Sequence, residues 1–410
     1  MLSGNQLCNN PRAIKEADAL AEAGHRVVVL GANFTAAGCA RDQKIMIGRP
    51  WEFRYAFDLA NQSWGVFWMK LQRKAGLALH KYLGFQNRWQ LGYGGDALLK
   101  QVMAYQPNLV VAHWDVVLGV CKRLMDAGVP VGIDMEDWFS EDLIPEARKE
   151  RPIKLMKRLE KKILCDGAWS TCTSEAMADA LVEAYGCRRP VVIRNVFPEK
   201  DREKMDGMWI DRPEMEKWMA RNEPWVERPQ NAPVSIHWYS QTIGPGRGLE
   251  ELFNALNIIT GEWELHLRGN LRGYEKWLNK VCPSGVGAKL KLHSQVSREE
   301  LPSRISEHDI GFCGEPASPP NKNLTISNKF FQYISAGLAV VASDTKGQIE
   351  GANKAKGAVV TFTAGNTESI KEALETLLEN KHRLNEMRGK AWEAGGRLCW
   401  ENEKVRYHGV

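Results

Sequence analysis

Almost from end to end, the chain alternates between an amphipathic helical stretch and a short apolar run that stops at a polar residue. In "PRAIKEADALAEAGHRVVVLGA", Ala13, Ala17, Leu20 and Ala21 fall on one helical face. Gly24 suits the position just past a helix end, and the apolar run that follows reads as a buried strand. "ALLKQVMAYQPNLVVAHWD" repeats the pattern, with Pro107 as breaker and a strand over Leu109 to Ala112. "VLGVCKRLMDAGVPVGIDMED" repeats it again, punctuated by Gly128 and Pro130. "EAMADALVEAYG" and "PVVIRNVF" continue the series. Helices and strands in alternation predict parallel sheets covered by helices, an α/β fold.

The alternation lapses between about Glu199 and Pro233, a stretch rich in charge, Trp, Met and Pro, and resumes at "APVSIHWYS". The second series runs through "GLEELFNALNII", "WELHLRG", "AKLKLHSQV", "REELPSRISEH", "DIGFCG", "LAVVAS" and "GAVVTF", and closes on one long helix, "TESIKEALETLLENKHRLNEMRGKAWEAG". A length of 410 residues suits two domains. The expected division is 1–198 for a first Rossmann-like domain, 199–232 for a linker or insertion, 233–390 for a second, and 391–410 for a tail packing back on the first. Only Met1 and Leu2 precede "SGNQLCNN", so the first strand of the first domain is expected to be truncated or very short.

Composition narrows the function classes. A net charge of +5 is too small to argue for nucleic acid. No apolar run is long enough to span a bilayer, and "MLSGNQLCNNPR" has no secretory pattern. The nine cysteines show neither CxxC pairs nor zinc spacing, which fits a reduced, cytoplasmic setting and no metal.

Open α/β sheets bind ligands at the carboxyl ends of their strands. Unusual polar residues fall there: His113 after "NLVVA", Asp134, Glu136 and Asp137 around the end of "VPVGI", and Arg268 with Gly269 after "WELHL". The loop "SQTIGPGRG" leads into a helix and offers Gly244, Gly246 and Arg247, a combination of close backbone approach, helix dipole and cation that suits a phosphate. A plain glycine turn with a solvated arginine reads the same residues. In "ISNKFFQYISAGLAVVASD", Ser327 or Asn328 can cap a helix whose packing face is Phe330, Phe331 and Ile334. Lys329 lies in the first turn, where the dipole disfavours a cation unless an anion is present. A phosphate-bearing ligand at the helix mouth would supply that anion.

"SNKFFQYISAGLAVVAS" resembles the donor-site helix of retaining GT-B glycosyltransferases of the large family 4 group, whose usual pattern is NK-x-x-E-Y-x-x-x-G-x-P-V-V. "NNPRAIKEADALAEAGHRVVVL", "VVAHWD", "TCTSEAMADALVEAYGCRRPVVIRNV" and "GPGRGLEELFNAL" resemble further family segments in the same order. The resemblance covers most of the chain apart from roughly 40–110 and 199–233. It implies two Rossmann-like domains facing across a cleft, with a nucleotide-sugar donor held mainly by the second. It places Arg247 at the diphosphate, Asn328 and Lys329 at the start of the facing helix, and Gln332 at the ribose in the second position of E-x7-E. It places His113 near the donor sugar as an orienter rather than a base, and Glu136 and Asp137 on the acceptor side. The acceptor implied is a glycan or a lipid-linked species, with neither nucleic acid nor cofactor involved.

Three positions depart from the family pattern. Gln332 is not glutamate, the first glutamate position falls on Leu324, and the basic residue before the phosphate loop is missing, with Ser240 or Gln241 near its place. Glu315 is the nearest acid, presented only if the loop "EPASPPNKNLT" folds back. An epimerase of the same architecture and a silent sugar-nucleotide-binding scaffold are the competing expectations.

Two further features bear on partners. "PEARKERPIKLMKRLEKKIL" is basic and amphipathic, with Ile153, Leu155, Met156, Leu159 and Ile163 in a stripe. Contact with an anionic membrane and packing against a core both fit it. Trp51, Trp64, Trp68 and Trp89 crowd residues 51–93, as a lid, a membrane edge or core.

Overall fold

In a computed structural model, residues 1–205 and 233–409 are described, and they fall into two compact units. One comprises Met1–Arg194 with Lys404–Val410, the other Asn195–Glu403. The greater part of the expected linker, 206–232, lies outside the described residues.

The first unit carries β1 (Val28–Asn33), β2 (Glu52–Asp58), β3 (Val110–His113), β4 (Val131–Met135), β5 (Trp169–Cys172) and β6 (Val191–Val192). β2 pairs with β1, and β3 to β6 pair in series, all parallel. The join between these two groups is Leu2, which bridges in parallel to Leu30 on one side and Ala112 on the other. Its backbone and that of its neighbours complete the ladder: Leu2 N donates to Val111 O at 2.7 Å, His113 N to Leu2 O at 2.9 Å, and Ser3 N to Leu30 O at 2.9 Å. The very short first strand expected from the sequence therefore lies inside the sheet, third in the order β2–β1–Leu2–β3–β4–β5–β6. The strand order reverses between Leu2 and β3.

The second unit has β7 (Val234–Thr242), β8 (Trp263–Asn270), β9 (Leu290–His293), β10 (Ile310–Cys313), β11 (Ala339–Ser343) and β12 (Val359–Phe362). Their order is β12–β11–β10–β7–β8–β9 and every pairing is parallel. This is the doubly wound Rossmann order, with its switch point between β7 and β10. Ile236, Trp238, Leu265, Leu267, Phe312 and Val341 pack its core with Leu252, Phe253 and Leu256 of the helix Leu249–Ile258.

The single long closing helix of the sequence reading is two, Thr367–Leu378 and Lys381–Arg397. Asn380 separates them because its side chain accepts from Arg383 N and starts a new helix. In residues 40–110, the strand β2 and the helix Trp64–Leu83 were not foreseen, although Phe53, Tyr55 and Phe57 alternate along "EFRYAFD" and Trp64, Trp68 and Leu71 follow helical spacing. The basic stripe at 153–163 belongs to the helix Ile153–Asp166, which buries Met156, Leu159, Ile163 and Leu164. Core packing accounts for that stripe. The tryptophans divide: Trp51 is buried, whereas Trp64 and Trp68 are exposed.

Candidate functional site

In the second unit the residues of interest gather at the switch point. β7 ends in the loop Ile243–Gly248, where Gly246 and Gly248 have φ of 69° and 76°, in the left-handed region. A Cβ on Gly248 would lie 2.3 Å from Gly314 O, just past the end of β10, so only glycine allows the two loops to come this close. Arg247 is exposed on this loop and donates from Nη1 to Ser240 Oγ at 3.0 Å. Gly246 N donates to Glu250 Oε1 at 3.3 Å.

The helix Asn328–Ser335 starts beside the loop that follows β10. Ser327 is its N-cap residue, but no side chain caps the mouth. The Ser327 hydroxyl instead donates to Glu315 Oε1 at 3.1 Å, and Lys329 Nζ reaches the same oxygen at 2.6 Å. The loop after β10 does fold back to present Glu315. Burial pushes the Glu315 carboxyl up, but Lys329, then Lys322, and the hydrogen bonds outweigh it and hold the pKa at about 2. The anion that balances Lys329 is thus supplied by the chain itself. Asn328 is exposed and its Oδ1 accepts from Asn195 Nδ2 at 3.1 Å.

Gln332 is buried, and its Oε1 accepts from the Tyr239 hydroxyl of β7. Burial raises the Tyr239 pKa well above its ordinary value, so the hydroxyl stays a donor. Leu324, the first E-x7-E position, is buried at the end of the short helix Pro320–Leu324. Arg268 is buried at the end of β8. Its Nη1 donates to Ser294 O at 3.1 Å, and its Nε has no hydrogen-bond partner among the described residues.

In the first unit His113 ends β3 and is buried between two carboxylates. His113 Nε2 lies 2.8 Å from Glu16 Oε2 and Nδ1 lies 3.4 Å from Asp134 Oδ2, both off the line of a hydrogen bond. Burial alone would lower the histidine's pKa, but the two carboxylates overcome it and raise the value to about 9. Asp134 is gripped by Arg12, whose Nε and Nη2 donate at 2.5 and 2.8 Å, and it accepts from Thr171 Oγ1 at 2.6 Å. Glu16, His113 and Asp134 are close enough to hold a metal ion. Imidazolium and guanidinium already balance the two carboxylates, so the cluster needs no added cation. Glu136 and Asp137 lie half-buried just beyond β4. Burial, then Asp137, raises the Glu136 pKa to about 7.

The sequence reading missed Arg12, Glu16 and Tyr239, and named Glu315 without a partner. Arg12 and Glu16 are four apart beside the buried Ala13 and Ala17 of the helix Pro11–Glu22, so both charges face inward. That spacing was the available signal. Nothing local marks Tyr239 as a partner of a residue 93 positions away.

No protein-family profile matches the sequence, and no curated protein matches it. Solved structures do. Anabaena HepE in complex with UDP superposes with TM-score 0.65 at 15% identity, covering 100% of this chain and 97% of that one. The fold is GT-B. Sucrose-phosphate synthase from Thermosynechococcus elongatus is similar with TM-score 0.67 at 12% identity, covering 98% of this chain and 92% of that one. A UDP-forming α,α-trehalose-phosphate synthase from Burkholderia xenovorans gives 0.63 at 14%, with 100% and 97% covered. At these identities the likeness to GT-B structures extends to the path of the chain and not to its side chains.

Proposed function

We propose that this chain is a glycosyltransferase that takes a sugar from a nucleoside diphosphate donor and passes it to a glycan or lipid-linked acceptor. One observation carries the reading. At the strand-order reversal of the second unit, a glycine loop bearing Arg247 closes on Gly314, next to the Glu315 that holds Lys329 at an uncapped helix mouth. Helix amides, helix dipole and guanidinium together suit a diphosphate. The fold likeness to HepE, solved with UDP and with UDP-glucose, supports the same ligand class.

In this reading Arg247 and the helix dipole stabilise the charge that grows on the departing diphosphate. Lys329 contributes through a pair with Glu315 that fixes its ammonium at the mouth. Arg268 adds a second guanidinium from β8. Gln332 and Asn328 complete the donor side, and Gly244 and Gly246 leave room for backbone approach. Glu136, whose pKa burial and Asp137 raise to about 7, lies on the acceptor side. His113 positions the end of β3 through its ion pairs. Retention at the anomeric carbon and kinship with family 4 are part of the proposal, as is independence from metal, since cations of the chain serve the leaving group.

A silent sugar-nucleotide-binding protein is the second reading, favoured by one observation: Tyr239 already occupies the Gln332 oxygen that would accept from a ribose hydroxyl. Donor consumption separates the two readings. Incubation with a panel of nucleotide sugars, beginning with UDP-glucose, should release nucleoside diphosphate if the chain is an enzyme. Binding without release from any donor, with or without acceptor glycans, would favour the silent protein.

A further inference from the structure

The helix Trp64–Leu83 packs on the first unit through one narrow face. Val66 and Gly76 are its buried positions. A Cβ on Gly76 would lie 2.8 Å from Asn87 Oδ1 and 2.9 Å from Trp89 Cβ, so glycine lets the helix sit directly on the turn beneath it. Asn87 Nδ2 donates to Gly76 O at 3.2 Å and Arg73 Nη1 to Gln90 O at 3.0 Å, which fixes the helix in place.

The opposite side is apolar, and nothing among the described residues covers it. Trp64, Trp68, Leu71 and Tyr82 follow helical spacing along it, and they are 79%, 57%, 41% and 75% exposed. Phe67 flanks them at 53% exposed, Leu83 ends the helix exposed, and Phe85 extends the surface past it. So many large apolar side chains on one exposed helix are unusual in a protein with nothing to cover them. Lys70, Lys74 and Lys81 are exposed along one edge of this face, and none has a carboxylate partner among the described residues.

Charge identifies the occupant. Between Asp58 and Asp96 the sequence has no acidic residue and five cations: Lys70, Arg73, Lys74, Lys81 and Arg88. A small pocket under the helix adds Arg123 to Arg73 and Arg88, against Asp96. A second copy would set this acid-free face against an equally cationic one. An anionic lipid surface offers both what the aromatics need and what the lysines need. At 20 residues the helix is ~30 Å long, but no helix among the described residues is apolar enough to cross a membrane. Its geometry suits lying in the interfacial plane.

We infer that the Trp64–Leu83 helix is an interfacial anchor that lays Trp64, Phe67, Trp68, Leu71 and Tyr82 into the surface of an anionic bilayer, with Lys70, Lys74 and Lys81 among its headgroups. This assignment is independent of the donor chemistry, since it concerns a different surface and needs no nucleotide.

The test is flotation of the full chain with phosphatidylcholine vesicles, with and without phosphatidylglycerol. The wild type should float with the anionic vesicles and bind neutral ones far more weakly, and raised salt should release it. Lys70→Gln with Lys74→Gln should lower partitioning on the order of 10-fold or more, at about five-fold per lysine. Trp64→Ser with Trp68→Ser should lower it at least as much while leaving the circular dichroism spectrum unchanged, because both side chains are exposed. Failure of the wild type to float with anionic vesicles would overturn the inference. So would flotation that neither variant reduces, or a wild-type dimer in sedimentation that the tryptophan variant dissociates.

Discussion

Glu315 Oε1 lies 2.6 Å from Lys329 Nζ and 3.1 Å from Ser327 Oγ, so one carboxylate oxygen fixes both residues at the start of the helix Asn328–Ser335. The serine that would ordinarily cap the helix amides is turned towards an acid, and the lysine that the dipole disfavours is held by the same acid. The mouth is therefore rigid, cationic on balance with Arg247, and left without a side-chain cap. In the proposed function, this site is organised for the donor's diphosphate before it arrives.

Glu315→Gln should cost about 2–3 kcal/mol of stability in urea unfolding at neutral pH, because it leaves Lys329 poorly paired in a largely buried place. The pair also has an acid limit. With a folded pKa of about 2 against an ordinary 4.5, the contribution of Glu315 is fully present above pH 4.5 and is lost as pH falls towards 2. The variant should lack that part of the acid transition, and a wild-type acid profile in the variant would count against the pairing.

His113 has the opposite sign. Its pKa is raised to about 9 between Glu16 and Asp134, so its stabilising effect is fully present below pH 6.5 and is lost as pH rises through about 9. The full effect is on the order of 3 kcal/mol. Thermal unfolding of the wild type should fall across this interval, and His113→Gln should start lower and flatten it.

Gln332→Leu should destabilise the protein by about 1–3 kcal/mol, because the Tyr239 hydroxyl loses its acceptor in a buried place. Gln332→Glu keeps an acceptor for Tyr239 and should preserve the fold better. If Gln332 also holds a ribose, the leucine variant should lose donor affinity beyond its loss of stability. Calorimetric titration with nucleoside and nucleoside diphosphate, in conditions where the variant is folded, checks this.

Gly248→Ala should displace the loop Ile243–Gly248. Its backbone is left-handed, and the new Cβ would meet Gly314 O at 2.3 Å. Nucleoside diphosphate binding should fall by at least 10-fold, while Gly246→Ala, whose Cβ meets nothing within 4 Å, should fall less despite its φ of 69°.

Much of the architecture was legible in the sequence because buried parallel strands are continuous apolar runs and their helices carry a clear stripe. "LAVVAS" and "DIGFCG" are strands β11 and β10 for that reason. The shortness of the first strand was legible from the two residues before "SGNQLCNN", but its place between β1 and β3 was not, since Leu2 and its neighbours hold it by backbone pairing alone. The candidate site was legible where a motif is local, as in "GPGRG" or "SNK". It was opaque where partners are distant: Glu315 with Lys329, Tyr239 with Gln332, Arg12 with Asp134. The tryptophans of the helix Trp64–Leu83 were read as a lid, a membrane edge or core alike, since residue type does not say whether anything covers a side chain.

Isothermal titration of the full chain with UDP, GDP, ADP and dTDP, alongside the Arg247→Ala variant, decides whether Arg247 and the helix mouth hold a nucleoside diphosphate. Arg247 is exposed, so the variant should fold as the wild type does. At least one diphosphate should bind the wild type, and its affinity should fall on the order of 10- to 100-fold in the variant, the value of a charge-assisted contact of ~1.5–3 kcal/mol. The parent nucleoside should bind both proteins alike. Folded wild-type protein that binds none of the four diphosphates, or binds one with an affinity that Arg247→Ala leaves unchanged, would contradict the account.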